Sequence, residues 1–243
     1  MEFPKINLHI HSIFSDGKNS IKQIIKKSLK LGLNYIAITD HFTNSWKANV
    51  IPTLDTVEKI EFYLKEISKC QNYLRENNKN LNLFKGIEID IESSETFIKK
   101  LIQPEKFDII LFEYLETPEG ISFIKELIDF WKKTIEEDDF PILGLAHFDP
   151  SFFIHESLDT LIHFLVDYDI YFEFNSRYPD YYSRQNELFF KKLKGSGYSI
   201  PVAIGCDSHS SRRLADIEEP LELIEFYCLE DNLKQFLNLL QNK

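Results

Sequence analysis

Residues 5–41 read KINLHIHSIFSDGKNSIKQIIKKSLKLGLNYIAITDH, and this stretch carries one complete strand–helix–strand unit. Lys5–Ile10 reads as a strand. Ser20-Ile-Lys-Gln23 is a capping box, in which a hydroxyl and a side-chain amide satisfy free helix-start amides reciprocally. Ile21, Ile24, Ile25 and Leu29 follow at helical spacing, and Gly32 stands where a left-handed helix stop belongs. Asn34–Thr39 is the next strand.

The same alternation runs along the rest of the chain. Strands are predicted at Leu83–Ile89, Phe107–Phe112, Ile142–Ala146, Ile170–Phe174 and Pro201–Ile204. Helices are predicted at Asp55–Asn77, Phe97–Leu101, Pro118–Glu136, Leu158–Val166, Glu187–Leu193 and within Ile217–Leu240. Alternating β and α elements imply a parallel sheet covered by helices. Seven such units without a linker rich in Gly, Ser or Pro fit a closed or nearly closed barrel better than two domains. A doubly wound open sheet is the other arrangement that alternation permits.

Residue types with chemistry gather at the strand ends. His9 and His11 end the first strand, Asp40 and His41 follow the second, and Glu88 ends the third. Glu113 and Glu116 follow the fourth, His147 the fifth, and Asp207 and His209 the seventh, while the sixth offers Asn175. In a parallel barrel every carboxyl end opens on one face, so these residues converge on one bowl. Each pair taken alone also reads as ordinary hydrogen-bonded or solvated side chains. Together they are costly to bury unless cations compensate them. A mixed imidazole and carboxylate set suits Zn, Mn or Fe, and more than four donors argues for at least two ions. Asp16, Glu88, Glu113 and Asp207 carry four negative charges, which two or three divalent ions would neutralise or exceed. Two adjacent metals can hold a hydroxide and clamp a phosphoryl group.

The motifs His9-Ile-His11, Ser15-Asp16-Gly17, Thr39-Asp40-His41, Gly86-Ile-Glu88, Ala146-His147 and Asp207-Ser-His209 stand in the order found in the polymerase and histidinol phosphatase (PHP) superfamily, which the chain resembles over about residues 5–215. The resemblance implies an α/β fold, a distorted (β/α)7 barrel of parallel strands with outer helices. It further implies two or three metal ions and phosphoester hydrolysis. By resemblance His9, His11, Glu88 and Asp207 hold one ion, Asp16, His41 and His209 a second, and Glu88 bridges toward a third with His147. One departure stands out: the His usual after strand four is missing from Leu111-Phe-Glu113-Tyr-Leu-Glu116, which leaves Glu113, nearer the strand end, or Glu116 as an oxygen replacement, or a third ion that is weak or absent. The domain reading is a single barrel over 1–243, with 216–243 as a C-terminal helical extension.

The expected function is hydrolysis of a phosphoester by a metal-bridging hydroxide, the substrate being a small phosphomonoester, a nucleotide or a short oligonucleotide end. Asp40, Arg177 and Arg212 are the candidate catalytic residues, with Asp40 or equally a metal-bound water as proton donor and the arginines as phosphate ligands. A metal-dependent amidohydrolase is one rival, although such enzymes often use a bridging carbamylated Lys and none lies at a strand end here. A non-catalytic metal-binding module is the other.

Composition narrows the classes. Hydrophobic residues make up 43% and charged residues 28%, with 21 Phe and 11 Tyr, which excludes a disordered chain. A net charge of −11 argues against grip on long duplex nucleic acid. Three cysteines without short spacing argue against a disulfide scaffold. No apolar run reaches the ~18 residues of a membrane span, and the first residues lack a signal-peptide pattern. The expectation is a cytoplasmic protein with no membrane partner.

Overall fold

The structure is a computed structural model that describes residues 3–155, 157–195 and 200–243. Eight strand segments, all paired in parallel, form the central sheet: β1 (Ile6–Asn7), β2 (Tyr35–Ile38), β3 (His41–Phe42), β4 (Asn82–Asp90), β5 (Ile109–Glu113), β6 (Ile142–Leu145), β7 (Ile170–Asn175) and β8 (Val202–Gly205). Their order is β1-β2-β4-β5-β6-β7-β8, with β3 also on β4. β2 and β3 are two halves of one barrel position, separated at Thr39-Asp40, and β4 pairs with both. The Tyr63 hydroxyl sits at that break, 2.7 Å from the carbonyl of Ile38 and 2.8 Å from that of Gly86.

The sheet closes between its first and last strands. Leu8 N–H donates to Ile204 O at 3.0 Å, Ser208 N–H to His9 O at 3.1 Å, and His11 N–H to Ser208 O at 3.1 Å. The result is a near-closed barrel of seven parallel strands with surrounding helices, the (β/α)7 arrangement expected from the alternation. The regular ladder of the first strand is shorter than its sequence pattern. Beyond Asn7 the backbone changes partners, and Ile10 N–H goes to the Thr39 hydroxyl at 3.1 Å instead of to a ladder carbonyl.

The helices are α1 (Ile21–Leu31), α2 (Val57–Glu76), α3 (Glu95–Leu101), α4 (Pro118–Lys132), α5 (Leu158–Asp167), α6 (Glu187–Gly195), α7 (Glu218–Phe226) and α8 (Glu230–Gln241). In α1 the capping box forms as read: Gln23 N–H donates to Ser20 Oγ and Ser20 N–H to Gln23 Oε1. The helix stops at Gly32 with φ 71°, a left-handed conformation that costs glycine little. It buries Ile21, Ile24, Ile25 and Ser28, the face that the spacing defines. α4 ends four residues before its predicted limit of Glu136, and Glu137–Asp139 forms a separate 3-10 turn.

The segment 216–243 forms α7 and α8, which lie against β7 and β8. Phe236 of α8 packs on Tyr171 of β7 with ring centroids 4.6 Å apart, and Asn232 Nδ2 donates to Ile200 O at 2.8 Å. Beneath one side of the bowl, Phe172, Phe174, Tyr182, Phe189 and Phe190 form a fully buried aromatic cluster that fixes β7 and α6. Among the described residues no helix is long and apolar enough to cross a membrane.

Candidate metal centre

All nine residues predicted as ligands meet at the carboxyl ends of the strands. Glu88, at the end of β4, is the hub. Its oxygens lie 3.1 Å from His9 Nε2, 2.7 Å from His41 Nδ1, 3.3 Å from His147 Nε2 and 3.5 Å from His11 Nε2. Asp207 Oδ1 is 3.0 Å from His11 Nε2, and Asp16 Oδ2 is 2.9 Å from His209 Nε2. The donor atoms fall into four groups compact enough to hold an ion: His11, Asp16, His41 and His209; His9, Glu88 and His147; His9, His11 and Asp207; His41, Glu88 and Glu113. The grouping differs from the one implied by resemblance: Glu88 groups with His9 and His147 and with His41 and Glu113 instead of with His11 and Asp207, and His11 also joins the Asp16 set.

The donors fit metal ions on two structural grounds. Glu88 is fully buried, and its oxygens have no hydrogen bond of good geometry; what they face is imidazole nitrogen at 2.7–3.5 Å. An unsatisfied buried carboxylate is expensive and calls for a cation. The Nε2 atoms of His9 and His11 also face each other at 3.1 Å, an arrangement that suits a shared cation between two lone pairs. The backbone is bent to make this geometry. Tyr114, His147 and Asp207 have φ of 67°, 31° and 43°, in the left-handed region that residues other than glycine seldom adopt. Such strain gathers at functional sites.

Outer partners orient the rings. Glu173, on β7, receives the Nδ1 side of His9 at 3.0 Å and the backbone N–H of His147 at 2.7 Å. It thereby turns His9 Nε2 inward, the usual arrangement behind a ligating imidazole. Gly205 makes room for this, because a Cβ there would overlap Glu173 Oε1. Glu173 is absent from the sequence-based site. Its signal was a lone carboxylate within the buried run Ile170-Tyr-Phe-Glu-Phe-Asn175, on the same face as Asn175, which was considered.

Charges in the bowl are strongly biased. Burial opposes ionisation of Glu88, but His9 and His41 outweigh it and hold Glu88 well below the usual carboxylate range. Burial likewise resists the charge of Asp207 and Asp16, yet neighbouring imidazoles keep both low. Burial would depress His41, but Glu88 and Glu113 raise it to about 10. His11 is pushed down to about 3 by burial and by the charge of His41. Ionised carboxylates therefore surround at least one neutral imidazole, as metal binding requires.

Two predicted catalytic roles do not fit their surroundings. Asp40 is fully buried and its oxygens accept from Ser12 N–H (2.7 Å), Ser15 N–H (3.1 Å), Ser12 Oγ (2.6 Å) and Ser15 Oγ (2.6 Å). These bonds fix the loop that carries Asp16, and they leave Asp40 away from the cavity as an anchor instead of a proton donor. Arg212 has an exposed side chain outside the cavity, because the turn after Asp207 directs it outward. Arg177 does line the cavity, with Nη1 at 3.0 Å from Asp207 Oδ2 and 2.8 Å from His209 Nδ1.

Other residues sort as follows. Glu116 is exposed at the rim, Asp149 caps the turn at Ser151 (2.9 Å), and Trp46 bonds Glu92 (2.8 Å) outside the cavity. His155 and His163 are exposed, and Cys206 is buried, its thiol pushed up to about 12. A lysine does reach the centre, from a loop and not from a strand. Lys47 Nζ lies 2.8 and 2.7 Å from the two Glu113 oxygens. Burial disfavours its charge, but Glu113 and Glu88 outweigh that and hold it above the ordinary lysine value, as an ammonium paired with Glu113.

Over 87 residues, 36% of this chain, the sequence is 37% identical to the DNA polymerase/3'-5' exonuclease PolX of Bacillus subtilis, and the match spans only 14% of that protein. The histidinol phosphate phosphatase HISK of Lactococcus lactis, solved with zinc, L-histidinol and phosphate, superposes with a TM-score of 0.65 at 17% identity, covering 93% of this chain and 94% of that one. A chain from the structures of YwqE from Bacillus subtilis and CpsB from Streptococcus pneumoniae, described as unique metal-dependent tyrosine phosphatases, gives a TM-score of 0.55 at 17% identity, covering 90% of this chain and 86% of that one. At such identities the likeness is one of fold. The family model of the PHP domain matches residues 7–242, from the end of β1 to just beyond α8. The chain belongs to the PHP domain family.

Proposed function

We propose that this chain is a metal-dependent phosphoesterase that acts on a small phosphorylated substrate. The observation that carries the reading is Glu88, a fully buried carboxylate whose near neighbours are the ring nitrogens of four imidazoles. His9, His11, Glu88, His147 and Asp207 would hold one ion, and Asp16, His41 and His209, with His11 near, a second. Bound divalent ions supply an activated water and neutralise phosphoryl charge. Zn, Mn and Fe all suit these donors.

The protein's own groups do the rest. Glu173 holds His9 in the tautomer that leaves Nε2 free, and the Ser12–Asp40–Ser15 network keeps Asp16 at the rim. The Arg177 side chain is 41% exposed and faces the cavity, where its guanidinium can meet phosphoryl oxygens. The Tyr178 hydroxyl donates to Asp207 at 3.2 Å. Burial and Asp207 keep it protonated above the ordinary phenol range, so it remains a neutral donor beside the site. A cavity of about 270 Å³ admits a small metabolite, and the acidic exterior disfavours long duplexes. Phosphate and histidinol in a structural neighbour support the phosphomonoester reading. The stretch shared with a named exonuclease favours a nucleotide or oligonucleotide end as the second reading.

The test is turnover by protein reloaded with Mn or Zn against phosphorylated metabolites and a single-stranded oligonucleotide. Metal-dependent release of phosphate from small esters is expected. Tight metal binding without turnover of any ester would favour a non-catalytic module.

A further inference from the structure

Lys47 is the one feature of the bowl that neither ligand placement nor substrate binding explains. Its side chain is only 11% exposed, and both Glu113 oxygens accept from its ammonium. Nζ is also 3.3 Å from His41 Nδ1, the atom that faces Glu88 at 2.7 Å. The ammonium thus stands against two members of the group formed by His41, Glu88 and Glu113. It reaches that point by a built route. Lys47 lies on the 3-10 turn Trp46–Asn49, where its N–H donates to Ser45 Oγ at 3.3 Å. Ser45 Oγ and Thr43 Oγ1 in turn donate to Asp90 Oδ2 at 2.5 and 2.7 Å. Asp90 is on β4, two residues beyond Glu88, so one strand sets both the hub carboxylate and the loop that delivers the lysine.

We propose that the Lys47 ammonium occupies the third cation position of this centre, so that the bowl takes two metal ions and one fixed positive charge. Charge balance agrees. The carboxylates that contact the donor set are Asp16, Glu88, Glu113, Glu173 and Asp207; two divalent ions with Lys47 match their five charges, and Arg177 against Asp207 adds one positive charge that a phosphoryl group can meet. A third ion would have to enter beside the ammonium and compete for the oxygens of Glu113. The missing imidazole after the fourth strand is then matched by a carboxylate suited to pairing with lysine.

This rests on the metal-centre reading above, and the experiment separates the two. Full-length protein is stripped with chelator, reloaded with excess Mn(II), desalted and analysed for metal per chain. About two equivalents are expected for the wild type and for Lys47→Arg, and about three for Lys47→Met, which removes the charge and keeps the length. Three equivalents in the wild type, or two in Lys47→Met, would overturn the role of Lys47 while leaving the metal centre in place. If Lys47→Met does not fold, the wild-type count decides alone. No bound metal in the wild type would overturn the centre itself and this inference with it.

Discussion

Glu173, bonded to His9, shows how much this site depends on a group that is not itself a candidate ligand. Glu173→Gln keeps the shape but loses the charge that fixes the His9 ring. Removing such a partner typically costs ~10–100-fold in metal affinity, which a metal titration would read; unchanged affinity would show that Glu173 is only filling space. Gly205→Ala should cause a similar loss by displacing Glu173. His11→Ala should lower metal content and phosphoesterase rate together, and retention of both would remove His11 from the centre. The convergence of eight of the nine candidate ligands on one face was legible because each sits at or near a strand end, where topology dictates the face; Asp16, in the loop after the first strand, was legible only from its motif. Arg212 misled, because it lies on an exposed turn five residues past Asp207, outside the cavity that Arg177 lines. Asp40 misled because its neighbours Ser12 and Ser15, about twenty-five residues away, saturate it.

At the scale of elements, β7 and α6 are held by the aromatic cluster around Phe172, which is fully buried. Phe172→Ala should destabilise the fold by about 3–5 kcal/mol, read as a clear fall in thermal midpoint; a loss under about 1 kcal/mol would mean that the cluster is not the anchor of that wall. The capping box at Ser20 and the stop at Gly32 were legible because both are local chemistry between residues a turn apart. The split of β2 from β3 was not, since it arises where Thr39 and the Tyr63 hydroxyl take over ladder positions. The Lys47 turn was equally hidden, because Asp90 places it across more than forty residues of sequence.

For the whole molecule, alternation and the absence of linkers sufficed for the barrel, because seven parallel βα units have few ways to cover both faces of a sheet. The bowl then imposes a pH signature on the metal-free protein. His41 is raised to about 10 from an ordinary value near 6.5, so its stabilising charge is complete below about pH 6.5 and disappears as pH rises toward 10. Glu88 and Asp207 are lowered, so their contributions exist above the ordinary carboxylate range of about 4 and vanish in acid. Melts of metal-free protein should therefore peak between these limits and decline on the alkaline side. A midpoint that stays flat from pH 6.5 to 10 would contradict the charge pairing of His41.

The most direct check is anomalous diffraction from crystals grown with Mn or Zn, combined with metal analysis of the same protein. Ions are expected within coordinating distance of His9, His11, Glu88 and Asp207, with another beside Asp16, His41 and His209. Crystals without ions in the bowl at saturating metal, or with ions bound only elsewhere, would contradict the account.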